Sequence, residues 1–210
     1  MGAIARNIAN NITTSGVFTS SAIANSSVTG ITVLANASDG ITFISSQTAN
    51  NSASISFTTG LDSTYKAYKF VFSSIHPRTG NIFEFNFSTD GGSNYNVTKT
   101  TTFARAYHNQ ADTSYGADYD SGRDLAQSTA FQDIGYSDTG ASDSISGSLI
   151  LFNPSSTTYV KHFISNTTGS NFVFNFLVAG YGNTTSAVNA LQFKFESGNF
   201  DGTIYLYGIK

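Results

Sequence analysis

Two glutamates are the only ones in the chain. Glu84 lies between Phe83 and Phe85, and Glu196 follows Phe195. A pair of carboxylates flanking the scissile bond is the minimum for glycoside hydrolysis. Both glutamates alternate with phenylalanine, which places them on the polar face of a strand, opposite the core. Nothing in the sequence brings the two together, so no catalytic pair is marked. His76, His108 and His162 have no serine or aspartate partner motif. No phosphate loop and no HExxH helix occurs. The expectation is a protein without enzymatic activity and without a cofactor.

The densest remaining chemistry lies between Tyr107 and Ser146, with seven aspartates against the single Arg123. Within it, Asp118-Tyr119-Asp120-Ser121-Gly122-Arg123-Asp124 resembles the start of a calcium loop, where oxygen ligands alternate around a glycine. Position twelve of such a loop is Thr129 and not glutamate, and Arg123 brings a competing positive charge. A solvated acidic loop is the better reading, and no metal site is expected. Tyrosine beside aspartate also suits a sugar. An aromatic face stacks on a pyranose while carboxylates accept hydrogen bonds from its hydroxyls. Tyr115, Asp118, Tyr119 and Asp120 are the candidate glycan contacts; the alternative is a subunit contact.

The elements that must position these residues follow from composition. The chain of 210 residues holds 18 Phe and 11 Tyr, no Cys and no Trp, and only 11% charged residues. The phenylalanines come in alternating bursts: Phe83, Phe85 and Phe87; Phe172, Phe174 and Phe176; Phe193 and Phe195. With Phe70 and Phe72 they are expected to point mostly inward. Alternation of this kind marks half-buried antiparallel strands. Ten are expected, over 41–45, 53–58, 68–75, 82–88, 95–104, 147–153, 158–165, 171–179, 190–196 and 203–208. A further short strand is expected near 130–135 within the long 107–146 loop. Asp90-Gly91 and Gly198 supply the turn chemistry between strands. The predicted fold is all-β, a jelly-roll or β-sandwich over residues 41–210, with an extended arm over residues 1–40.

That arm has too little periodic apolar surface to fold alone and too many Ile and Val for a solvated linker. It is expected to pack on another chain, most simply in a homotrimer, and to attach the protein to its partners. The alternative is a loosely held tail. The net charge is −3, and the ten basic residues form no cluster, which argues against nucleic-acid binding. The longest apolar stretch, 172–181, is too short to span a bilayer. No leader with a continuous apolar core is visible, and a soluble protein is expected. The many Asn-X-Ser/Thr triplets follow from a composition rich in Asn, Ser and Thr.

Several segments resemble virion proteins of marine tailed phages, including cyanophage-like ones. They are Phe43-Ile44-Ser45-Ser46-Gln47-Thr48-Ala49, residues 53–65, Leu151-Phe152-Asn153-Pro154 continuing to Phe163, Val178-Ala179-Gly180-Tyr181, and Gly202-Thr203-Ile204-Tyr205-Leu206-Tyr207-Gly208. The resemblance covers roughly residues 43–210. The opening 4–11 looks, less specifically, like the start of phage fibre proteins. The resemblance implies a virion role and no catalytic residues. The expected function is an outward-displayed tail-fibre or spike-type appendage on the particle surface, touching other virion proteins through residues 1–40 and a host glycan through the sandwich. The alternatives are a capsid decoration protein and a free carbohydrate-binding module.

Overall fold

The phenylalanine alternation builds two facing sheets. The computed structural model describes residues 40–170 and 172–210. The arm expected over residues 1–40 lies outside them except for Gly40. Twelve strands run among the described residues: β1 (Ile41–Ser52), β2 (Ser54–Phe57), β3 (Ala67–Pro77), β4 (Ile82–Ser88), β5 (Lys99–His108), β6 (Tyr115–Tyr119), β7 (Gln132–Tyr136), β8 (Ile145–Phe152), β9 (Lys161–Gly169), β10 (Val173–Gly182), β11 (Ala190–Phe195) and β12 (Phe200–Ile209). All pair antiparallel, and no helix occurs among the described residues.

One sheet has the order β1-β12-β3-β8-β9-β10-β5-β6 and the other β2-β11-β4-β7. The pairs β1·β12, β2·β11, β3·β8 and β4·β7 are nested in sequence, as if one long hairpin had been rolled up. This is the jelly-roll connection, with successive pairs assigned alternately to the two sheets. Two hairpins are inserted into it. β5–β6 falls between β4 and β7, and β9–β10 between β8 and β11. They join each other through β10·β5 and join the first sheet through β8·β9, widening that sheet from four strands to eight.

The core is aromatic. Phe83, Phe85, Phe87, Phe193 and Phe195 from the smaller sheet meet Phe70, Phe72 and Phe163 from the larger one, all buried. The rings interlock edge to face, as between Phe72 and Phe83, whose centroids are 5.3 Å apart at 89°. Eight of the ten phenylalanines expected inside are buried; Phe172 and Phe174 are only partly so. Those two lie at the rim of the inserted hairpins, where the four-stranded sheet no longer covers the eight-stranded one. Phe174 packs on Tyr136 and Phe176 there.

The structure corrects the 107–146 loop. β5 continues to His108, and β6 folds back on it with Ala106 opposite Ala117. β7 fulfils the short strand expected near 130–135. The polar face of β4 is corrected too. Glu84, Asn86 and Ser88 are buried although they point away from the core. Chain segments on either side of β5 lie over them: Asn86 Nδ2 donates to the carbonyls of Tyr95 (2.8 Å) and Thr129 (2.9 Å).

Candidate functional site

β6 is an edge strand whose five residues are all exposed. Period-two alternation divides the four candidate glycan contacts between its faces. Tyr115 and Tyr119 share one face, at 68% and 53% exposure. The Tyr115 ring stacks on His108 of β5, with centroids 6.0 Å apart at 20°. The Tyr119 hydroxyl donates to the Asp124 carboxylate, a bond that raises the phenol pKa.

Asp118 points the other way. Arg105 grips it with two nitrogens, Nε at 2.8 Å and Nη2 at 3.2 Å. The same guanidinium donates from Nη1 to the Tyr136 hydroxyl (2.6 Å) and meets Asp120 at 3.4 Å. Arg123 also reaches Asp120, at 3.4 Å, and bonds Asp133 at 2.8 Å while lying over the Tyr136 ring. The Asp118 hydrogen bond holds the Arg105 pKa above its ordinary value. Burial raises that of Asp133 against the pull of Arg123. Asp118 and Asp120 are therefore bound to arginines that tie β5, β6 and β7 together. The structure puts the two tyrosines on one face of β6 and turns the two aspartates away from it. The acidic loop expected over 118–124 starts in the last two residues of β6 and continues as a turn over 120–124, and its Asp118 and Asp120 are ion-paired.

The tyrosine face belongs to a larger surface. The register places Tyr119, Ala104, Leu177, Asn166 and Ser148 in one cross-strand row on the outer side of the eight-stranded sheet. Thr102, Ala179, Ile164 and Ile150 form the next. Val173, Leu177, Ile164 and Phe152 are exposed large hydrophobics on this side. The outward positions of β8, β9, β10, β5 and β6 contain no Asp, Glu, Lys or Arg. A shallow hollow of about 410 Å³ opens in it, lined by Thr100, Thr102, Phe152, His162, Ile164 and Tyr181. The His162 and Tyr181 rings lie 6.0 Å apart there, tilted by 59°. Sequence reading missed this surface because its residues come from five strands, each showing only ordinary alternation.

A second hollow, about 560 Å³, lies at one end of the sandwich between Asn81, Asp138, Asp143 and Glu196. Among the described residues, no group of three His, Cys, Asp or Glu is placed to hold a metal ion. Glu84 pairs with Lys194 at 2.5 Å on the neighbouring strand, and burial raises its pKa. Glu196 is exposed, and its carboxylate accepts from the Asn81 backbone N–H at 3.4 Å. No known family model matches the chain, and no curated protein matches it.

Proposed function

We propose that this chain is a structural protein of a tailed-phage particle, an outward-displayed appendage held in place by residues 1–40. The observation that carries this reading is the eight-stranded platform. Its inserted hairpins build an uncharged outer face studded with Tyr115, Tyr119, Ile164, Val173 and Leu177. Contiguous apolar surface of this kind marks an interaction site. The resemblance of residues 43–210 to marine phage virion proteins supports the same reading, and the jelly-roll topology suits it. The protein acts by contact and not by catalysis, as a homotrimer bound to other virion proteins. Mass spectrometry of purified particles should find the chain, and antibody-gold imaging should place it on the tail. Label on the head would make it a decoration protein. Its absence from particles would end the proposal.

A host glycan is the proposed contact of the displayed sandwich, carried by Tyr115 and Tyr119. Both rings keep exposed surface for stacking, Tyr115 on the side away from His108, and the hydrogen bonds to a sugar must come from neighbours other than Asp118 and Asp120. The Tyr115→Ala/Tyr119→Ala double variant should lose host-cell adsorption while keeping its oligomer. Binding by stacking should survive moderate salt, which screens ion pairs far more than apolar contact. A broken oligomer would assign the tyrosines to a subunit contact, and unchanged adsorption would remove them from recognition.

A further inference from the structure

Lys99 and Asn86 are both fully buried, and the lysine Nζ lies 2.6 Å from the asparagine Oδ1. With a C=O bond of about 1.2 Å, Nζ is within about 4 Å of the carboxamide carbon. We propose that these two side chains are joined by an amide crosslink, formed by the folded chain itself.

The amine and the carboxamide are already in contact. The nucleophile must be a free amine, and burial lowers the Lys99 pKa to about 7. A large fraction is thus uncharged at neutral pH. The carboxamide cannot rotate away: its Nδ2 donates to the carbonyls of Tyr95 and Thr129, and its Oδ1 accepts from the Phe87 N–H at 2.8 Å. That N–H is aimed at the oxygen on which negative charge develops. The Glu84 carboxyl lies two residues before Asn86 on the same side of β4, and its charge acts on Lys99. Burial raises the Glu84 pKa while Lys194, 2.5 Å away, opposes the rise, and in the proposed reaction this carboxyl relays the proton. Holding the reactants in a fixed site replaces a very slow bimolecular reaction with an intramolecular one, worth effective molarities on the order of 10⁵ M or more.

The step balances without a cofactor. Nζ adds to Cγ of Asn86, and the new C–N bond forms. The Cγ–Nδ2 bond breaks, and Nδ2 departs as ammonia with one proton taken from Nζ through Glu84. Nothing is oxidised or reduced. Burial excludes the water that would hydrolyse the product. The product ties the end of β4 to the start of β5 across the loop between them. In a chain without cysteine it fills the role of a disulfide, limiting the unfolded state by closing a loop. Such a staple suits a protein displayed on a particle, and the chemistry stands whether or not that placement holds.

Trypsin digestion of the full-length native protein reads the bond directly. Thr79 follows Arg78, and the next tryptic sites are Lys99 and Arg105. A linked Lys99 is not cleaved. The expected product is the peptide 79–105, lighter than its sequence by one ammonia, with no backbone fragments from within residues 86–99. Release of 79–99 at full mass would overturn the crosslink. So would loss of ammonia with cleavage after Lys99 intact, since that is a cyclic imide at Asn86. Lys99→Arg should restore cleavage and full mass. Glu84→Gln should leave most chains unlinked; a fully linked Glu84→Gln protein would remove Glu84 from the reaction.

Discussion

Phe193→Ala is expected to cost about 3–5 kcal/mol of folding stability, the range for truncating a buried aromatic ring. Phe193 is fully buried, and its ring meets five others. Phe70 and Phe72 of the larger sheet lie 5.2 Å away, and Phe57, Phe83 and Phe85 of its own sheet at 6.0–6.4 Å. The strand carrying it, β11, is held on both sides by β2 and β4. Neighbouring strands cannot slide in to fill the space, so the cavity term is kept nearly whole. Urea unfolding should show the loss as a lower midpoint with an unchanged slope. A loss under about 1 kcal/mol would mean that the site collapses, which interlocked rings do not allow. Phe174→Ala is the contrast. Its alternation matches that of Phe193, yet the ring is only partly buried, so roughly half that cost is expected.

The difference between these two phenylalanines shows how far the sequence reaches. Alternation assigns a side chain to one face of a strand and says nothing about what covers that face. At Phe193 the opposing sheet covers it. At Phe174 the inserted hairpins extend past the edge of the smaller sheet, a consequence of pairing between β10 and β5, which are some seventy residues apart. Ile82–Ser88 matches its strand at both ends because Arg78-Thr79-Gly80-Asn81 and Asp90-Gly91 bound it with turn chemistry. β6 escaped notice because Tyr115-Gly116-Ala117-Asp118-Tyr119 is short and nearly as polar as a loop. Only its pairing with β5 makes it a strand.

The candidate sites follow the same division. Tyr115 and Tyr119 are conspicuous as residue types, and both are exposed. Asp118 and Asp120 look equally available in sequence. Their partner Arg105 lies more than ten residues upstream and meets them only through the β5–β6 hairpin, a pairing the polar 115–119 segment does not announce. Lys99 and Asn86 carry no motif at all. The lysine opens one strand and the asparagine lies inside another, and only the covering segments over β4 bring them together in a dry site.

Deleting residues 1–39 is expected to leave a folded sandwich that no longer enters particles. The buried core runs from Ala49 to Leu206, so the deletion removes none of its described residues. Gly40 is kept because its carbonyl accepts from the Lys210 N–H, closing the start of β1 against the end of β12. The segment's own apolar side chains, Ile4, Ile8, Ile12, Val17, Phe18, Ile23, Val28, Ile31, Val33 and Leu34, would yield about 1.5–3 kcal/mol each if fully buried. Ordering its backbone costs about 1–2 kcal/mol per residue. Over this length the cost exceeds the gain, which agrees with the proposal that the segment packs on another chain. Without it, the variant should keep its thermal midpoint, run as a monomer in native mass spectrometry, and be missing from purified particles grown with the deleted gene. A variant that still assembles would move the attachment role to the sandwich, where the uncharged outer face over β8, β9, β10, β5 and β6 is the surface left to carry it.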